Sequence, residues 1–198
     1  MWNVNVLDNG EEKDEYDFDN PTYILVTNDH FEHLASMRLK PFTSRTMVAD
    51  YFADFLPAGF KPRHDQVETT RFCVSPHVNG FARKIAIATL MSASCQFGLF
   101  KHFKTGIGLF DQRMERIYQF VGWTPKILAC HKVNGNQICL GEWEISSNTK
   151  RKLDERLERF LEFSPAVNAI HASAIGLDRK SFTISEEVLM SSASQASV

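Results

Sequence analysis

Two kinds of ionisable residue stand at intervals in this sequence where they could act together. Near the N-terminus three acids, Glu12, Asp14 and Asp17, fall within six residues. Carboxylates packed this closely repel one another unless cations sit among them. Two arginines, Arg38 and Arg71, lie in apolar, strand-forming surroundings, where a guanidinium needs a carboxylate partner. An ion-pair cluster joining the acidic loop to Arg38 and Arg71 would satisfy both; the plainer alternative is a solvated acidic loop. Glu68 precedes Arg71 by three residues. It could pair Arg71 for structure, or it could accept a proton from a reacting group, directly or through a water. Side chains alternate faces along a regular strand, so residues 68 and 71 would point to opposite sides. If both serve one site, a β-bulge must interrupt the strand between them.

Other chemistry finds less support. The four cysteines, Cys73, Cys95, Cys130 and Cys139, are irregularly spaced with no C-x-x-C pair. That pattern argues against a zinc or redox site and for free thiols in a reducing cytoplasm. The seven histidines show no metal-ligand spacing, and no glycine-rich phosphate loop is visible. Two basic runs, Lys150-Arg151-Lys152 and Lys101-His102-x-Lys104, are either solvated faces or steering patches for an acidic partner. Trp2 and Phe52 could pack in a core or offer ring faces to a ligand, and Trp123 reads as core.

The elements that must position these residues can be read from periodicity. A chain of 198 residues, 43% apolar and 23% charged, fits one domain with a real core. A net charge of −2 gives no global pull toward nucleic acid. The longest apolar stretch, Ile85 to Leu90, is too short to span a bilayer, and the first residues do not read as a secretion signal. Strands are predicted at Thr22–Val26, Phe31–Leu39, Gln66–Val74 and Gly106–Phe110. A hairpin of Lys126–His131 and Gln137–Ile145 should turn at Asn134-Gly135. Helices are predicted over Ser44–Leu56, with Met47, Tyr51, Phe52, Phe55 and Leu56 at helical spacing, over Asn79–Phe103, largely buried, and over Asn148–Phe163. A further helix runs from an Asp111 N-cap to a closing Gly122. Alternation of this kind gives an α/β or α+β sandwich, a mixed central sheet with helices on its faces. A single domain is expected over residues 1–175, with 176–198 as a mobile C-terminal tail.

Several segments, taken in order, resemble the acyl-homoserine lactone synthases, the autoinducer synthase family. Glu12-Lys13-Asp14-Glu15-Tyr16-Asp17 matches the family's Glu-x-Asp-x-x-Asp run. Arg38-Leu39-Lys40-Pro41 is similar to its Arg-Leu-Leu-Pro, with Phe52 at the family's spacing beyond. Glu68-Thr69-Thr70-Arg71-Phe72 is similar to its Glu-x-Ser-Arg-Phe. A looser match runs from Asp111 through Met114-Glu115-Arg116-Ile117 to Gly122-Trp123. The resemblance implies a fold like the GCN5-related N-acetyltransferases. It implies transfer of an acyl group from acyl-carrier protein, or acyl-coenzyme A, to the amine of S-adenosylmethionine, with lactone closure and release of methylthioadenosine for quorum sensing. It assigns Glu68 and Arg71 to catalysis, with Glu68 as general base, and Trp2, Glu12, Asp14, Asp17, Arg38 and Phe52 to substrate binding. No cofactor or metal is implied, S-adenosylmethionine being a substrate, and a cytoplasmic location is expected. Two departures stand out. The family has a longer segment before the position of Trp2, including an Arg and a Phe at the substrate pocket, so weaker binding of S-adenosylmethionine is expected. Val67 replaces a Trp usual beside the glutamate. An ordinary N-acetyltransferase is the alternative within the enzyme class, although Val74–Arg83 holds only Gly80 of its pyrophosphate loop; an inactive binding homologue is the alternative outside it.

Overall fold

The computed structural model describes residues 5–6, 12–42, 45–163, 170–176 and 181–184. Two short strands, β1 (Asn5–Val6) and β2 (Glu12–Lys13), pair antiparallel and lead into a 3-10 turn, Glu15–Asp19. Then follow β3 (Thr22–Asn28), β4 (His33–Pro41), α1 (Met47–Tyr51), β5 (Gln66–Val74), α2 (Gly80–Phe100) and β6 (Thr105–Asp111). The remainder is α3 (Glu115–Val121), β7 (Lys126–Val133), β8 (Asn136–Glu144), α4 (Ser147–Glu162), β9 (Ile170–Gly176) and β10 (Ser181–Ile184).

Eight strands form one sheet in the order β10-β9-β3-β4-β5-β6-β8-β7. Neighbours are antiparallel except β5 and β6. This is the mixed sheet flanked by helices that the sequence pattern predicts, with the acetyltransferase-like architecture that the resemblance implies. Helix α2 is apolar around most of its circumference because it lies between the sheet and α4; Ile85 to Cys95 is buried without interruption. Ile24, Val26, Met37, Leu39 and Val67 reach it from β3, β4 and β5. Trp123 belongs to this core, 6% exposed. A second apolar cluster gathers Phe42, Val48, Phe55, Ile107 and Leu140 around α1 and the 3-10 turn Ala53–Phe55 that follows it.

The central parallel pair is short. Gln66, Val67 and Glu68 pair with Thr105, Gly106 and Ile107, and beyond that register β5 and β6 part. A Cβ on Gly108 would come within 2.9 Å of the Thr69 carbonyl oxygen, so the missing side chain lets the strands stay close one residue beyond their last paired position.

Three differences from the predicted elements have physical causes. The helix predicted over Ser44–Leu56 stops at Tyr51, because Phe52 leaves the helical region (φ −135°); Phe52 and Phe55 then turn onto the second apolar cluster. Cys130 and Cys139, expected as free thiols, form a disulfide. They stand directly opposite in the β7–β8 hairpin, with Cα atoms 4.1 Å apart, a register that irregular sequence spacing does not reveal. Strands β9 and β10 extend the sheet from Ser/Ala-rich sequence with little period-two signal. β10 supplies four residues of the expected tail; residues 185–198 lie outside the described residues.

Candidate functional site

On the face of β4 and β5 away from α2, ionisable side chains collect. They start from the 3-10 turn. The Asp14 side chain accepts the Tyr16 amide at 3.0 Å, and the Asp17 side chain accepts the Asp14 amide at 2.9 Å, a reciprocal cap that fixes both carboxylates before they meet a cation. Arg38 projects from β4, 1% exposed, and its Nη1 donates to Asp14 at 2.6 Å and to Asp17 at 2.9 Å. Its Nε donates to the Thr70 hydroxyl at 2.9 Å, and its guanidinium lies 5.7 Å from the centre of the Tyr16 ring. The Tyr23 hydroxyl, on the strand position opposite Arg38, donates to Asp17 at 2.6 Å.

Arg71 reaches the same cluster, its Nη2 standing 3.1 Å from Asp14 and 3.4 Å from Asp17. It does so through a bulge. Between the pairs Ser36–Cys73 and Arg38–Thr70, β4 advances two residues while β5 advances three. Arg71 takes the left-handed conformation (φ 52°), which costs a non-glycine residue roughly 1–2 kcal/mol. Thr70 and Arg71, adjacent in sequence, therefore both serve one face, and the interruption required for Glu68 and Arg71 to share a side is present.

Glu68 is 1% exposed. Its Oε1 accepts the Val48 amide at 2.8 Å and its Oε2 the Met47 amide at 3.2 Å, so the carboxylate anchors the first turn of α1. Thr46 caps the same turn, accepting the Ala49 amide at 3.1 Å. Each Glu68 oxygen keeps capacity for a further proton or donor. Burial pushes the Glu68 carboxyl above the ordinary glutamate value, against the opposing pull of the two amides and of the charges on Arg38 and Lys40. Asp14 and Asp17 go the other way. Burial would raise them, but bonds and charge from Arg38 and Arg71, with the Tyr23 hydroxyl for Asp17, hold both below the usual aspartate range. One site thus carries carboxylates tuned in opposite directions, a common feature of functional sites.

Of the residues singled out in the sequence, Asp14, Asp17, Arg38 and Arg71 form one network, and Glu68 lies on the same face two residues from Thr70. Glu12 enters only through its backbone carbonyl, which accepts Arg71 Nη1 at 3.2 Å; its side chain is exposed. Phe52 packs edge-to-face on Phe55, ring centres 5.9 Å apart, beside the second apolar cluster. Trp2 lies outside the described residues. Tyr23, Thr70 and Lys40 escaped the sequence reading; only Lys40 had a signal, its same-side spacing from Arg38 on a strand. The basic run Lys150-Arg151-Lys152 does not act as one patch. Lys150 is buried and paired with Asp154, and Arg151 pairs with Glu155, because successive helix positions face different ways. Among the described residues no helix is long and apolar enough to cross a membrane.

Comparison with known proteins gives this face a context. The sequence model of the family described as autoinducer synthase matches residues 1–153. An acyl-homoserine-lactone synthase of Rhizobium etli is 30% identical over 164 residues, covering 81% of this chain and 77% of its own length. Among solved structures, the synthase LasI aligns with a TM-score of 0.65 at 21% identity, over 77% of this chain and 78% of its own. BjaI, a CoA-dependent acyl-homoserine lactone synthase solved with SAM and isopentyl-CoA, aligns with a TM-score of 0.64 at 21% identity, over 77% and 71%. These structural likenesses establish the fold.

Proposed function

The chain belongs to the autoinducer synthase family, an enzyme family of the acyltransferase type, and from that premise we propose that it is an acyl-homoserine lactone synthase. Its substrates are S-adenosylmethionine and an acyl thioester of coenzyme A or acyl-carrier protein. The product serves as a quorum-sensing signal made in the cytoplasm. The observation that carries the reading is Glu68: a buried carboxylate on β5 at the last paired position before β5 and β6 part, with a raised proton affinity and unused acceptor capacity.

The chemistry follows from that placement. The α-ammonium of S-adenosylmethionine passes a proton to Glu68, directly or through a water. The freed amine bonds to the thioester carbonyl carbon, the carbon–sulfur bond breaks, and the excess proton on nitrogen leaves with sulfur as the thiol. A carboxylate oxygen of the methionine portion then bonds to its γ-carbon as the bond to the sulfonium sulfur breaks, closing the lactone and releasing methylthioadenosine. Arg38 and Arg71 hold Asp14 and Asp17 in place to orient the substrate's ammonium and carboxylate, joined by Glu12, while Phe52 and Trp2 supply apolar surface to the adenosine or acyl chain.

The test is turnover. The protein incubated with S-adenosylmethionine and acyl-coenzyme A, or separately with acyl-carrier protein, should form methylthioadenosine and acyl-homoserine lactone in equal amounts by mass spectrometry. Absence of both with either donor across chain lengths, from folded protein, would contradict the proposal.

A further inference from the structure

Lys40 is the one residue of the Arg38-Leu39-Lys40-Pro41 segment that departs from the resembled motif, which has leucine there. It is 4% exposed. Burying an ammonium is costly unless it is paired, and a leucine would fill the position without that cost. The surroundings show what the ammonium does. Lys40 stands directly opposite Glu68 in the β4–β5 ladder. Its Nζ donates to the Arg45 carbonyl, lies 3.5 Å from an Asp19 carboxylate oxygen, and sits 5.9 Å from the centre of the Tyr16 ring. Arg45 is followed by Thr46, the cap of α1, and then by Met47 and Val48, whose amides hold the Glu68 carboxylate. One cation therefore ties the stretch leading into α1 to the strand beside Glu68.

We propose that Lys40 is a positioning residue: it fixes the Arg45–Thr46 stretch so that the first turn of α1 meets Glu68, and it sets a positive charge across the ladder from that carboxylate. The inference rests on the reading of Glu68 as the base. The other charged groups around it are Arg38 on β4, Asp17 and Asp19 on the 3-10 turn, Arg45 before α1, and Asp50 on α1, which accepts the Tyr16 hydroxyl at 2.9 Å. Arg38 and Lys40 act on Glu68 in the same direction, favouring its ionised form against burial. Arg38 is committed to Asp14 and Asp17, which leaves Lys40 as the cation on the ladder position facing Glu68.

The experiment is the pH profile of kcat, which reports groups of the bound complex, for the parent, Glu68→Gln, Lys40→Leu, Lys40→Met and Lys40→Arg, each checked for folding by thermal unfolding. Loss of the facing charge should move the acid limb of Lys40→Leu and Lys40→Met upward by about one pH unit. Their kcat then falls about tenfold below the limb and changes little at the alkaline plateau, whereas Lys40→Arg keeps the parent limb. A purely structural lysine would scale kcat equally at every pH. An acid limb at the parent position in either apolar variant overturns the inference, and so does failure of both to fold, which would make Lys40 a structural residue. The reading of Glu68 fails separately, if Glu68→Gln retains the parent limb.

Discussion

The β4–β5 ladder has two faces built from alternate residues of the same two strands, and they solve burial differently. Toward α2, Met37, Leu39 and Val67 pack into a continuous apolar core. Away from α2, Arg38, Lys40, Glu68 and Thr70 are just as inaccessible, none more than 8% exposed, yet carry charge or a hydroxyl. The first face gains stability from removing apolar area from water. The second balances desolvation against ion pairs and amide bonds, and balances it with groups drawn from a distant segment, the Asp14–Asp17 turn. The contrast separates the face committed to the core from the face that carries the proposed site. Tolerance to substitution should differ accordingly: the apolar face accepts volume-conserving swaps, whereas the charged face fails when one partner of a pair is lost.

Arg38→Met should therefore have the largest effect on stability, about 3–5 kcal/mol by denaturant unfolding, because two carboxylates lose their buried partner. Met37→Leu, one residue away on the apolar face, should cost under about 1.5 kcal/mol. Equal costs would dissolve the comparison.

Acid should reveal the same difference. Asp14 and Asp17 bind protons more weakly in the folded chain than their ordinary value of 3.8. Their contribution to stability is thus fully present above that value and is lost as pH falls through the lower folded values. The stability gap between the parent and Asp14→Asn should be widest near neutrality and close toward pH 2. Glu68 has the opposite sign. Its folded value is raised, so it favours the fold most below the ordinary 4.5, and that contribution is lost as pH rises through the folded value. A gap for Asp14→Asn that widens with acid would contradict this assignment.

A smaller effect is expected at Arg71. It is more exposed than Arg38, 20% against 1%, and its left-handed backbone suits glycine. In Arg71→Gly the relieved backbone partly offsets the lost ion pairs, so unfolding should shift by about 1 kcal/mol or less, while turnover falls because the bulge no longer carries a guanidinium. A stability loss equal to that of Arg38→Met would show that the ion pairs of Arg71 outweigh the relief of its backbone. The smallest effect concerns the thiols. Under native, non-reducing conditions one thiol, Cys73, should alkylate; unfolding without reductant should add Cys95, and reduction should add the Cys130–Cys139 pair. Labelling of all four before reduction would exclude the disulfide.

Much of this was legible in the sequence, and the limits have identifiable causes. The boundaries of β5 and the turn at Asn134-Gly135 follow from local signals, period-two β-branched residues in the one and two positive φ values in the other. The ion cluster was legible because crowded acids and strand arginines each demand a partner. The bulge at Arg71 was legible only as a condition, since sequence states what must share a face but not how the backbone manages it. The role of Lys40 was not legible, because its ammonium meets Asp19 and the Arg45 carbonyl through tertiary contact alone. The Cys130–Cys139 pair depended on hairpin register, and β9 on an edge supplied by β3, more than a hundred residues earlier in the chain.

The central claim is that Glu68 removes the proton that lets the amine attack. Glu68→Gln keeps the size of the side chain and abolishes its basicity. In folded Glu68→Gln protein, formation of acyl-homoserine lactone from S-adenosylmethionine and acyl thioester, followed with methylthioadenosine release, should slow by about a hundredfold to ten-thousandfold. Lactone formation at the parent rate across pH 6 to 9 would contradict the account.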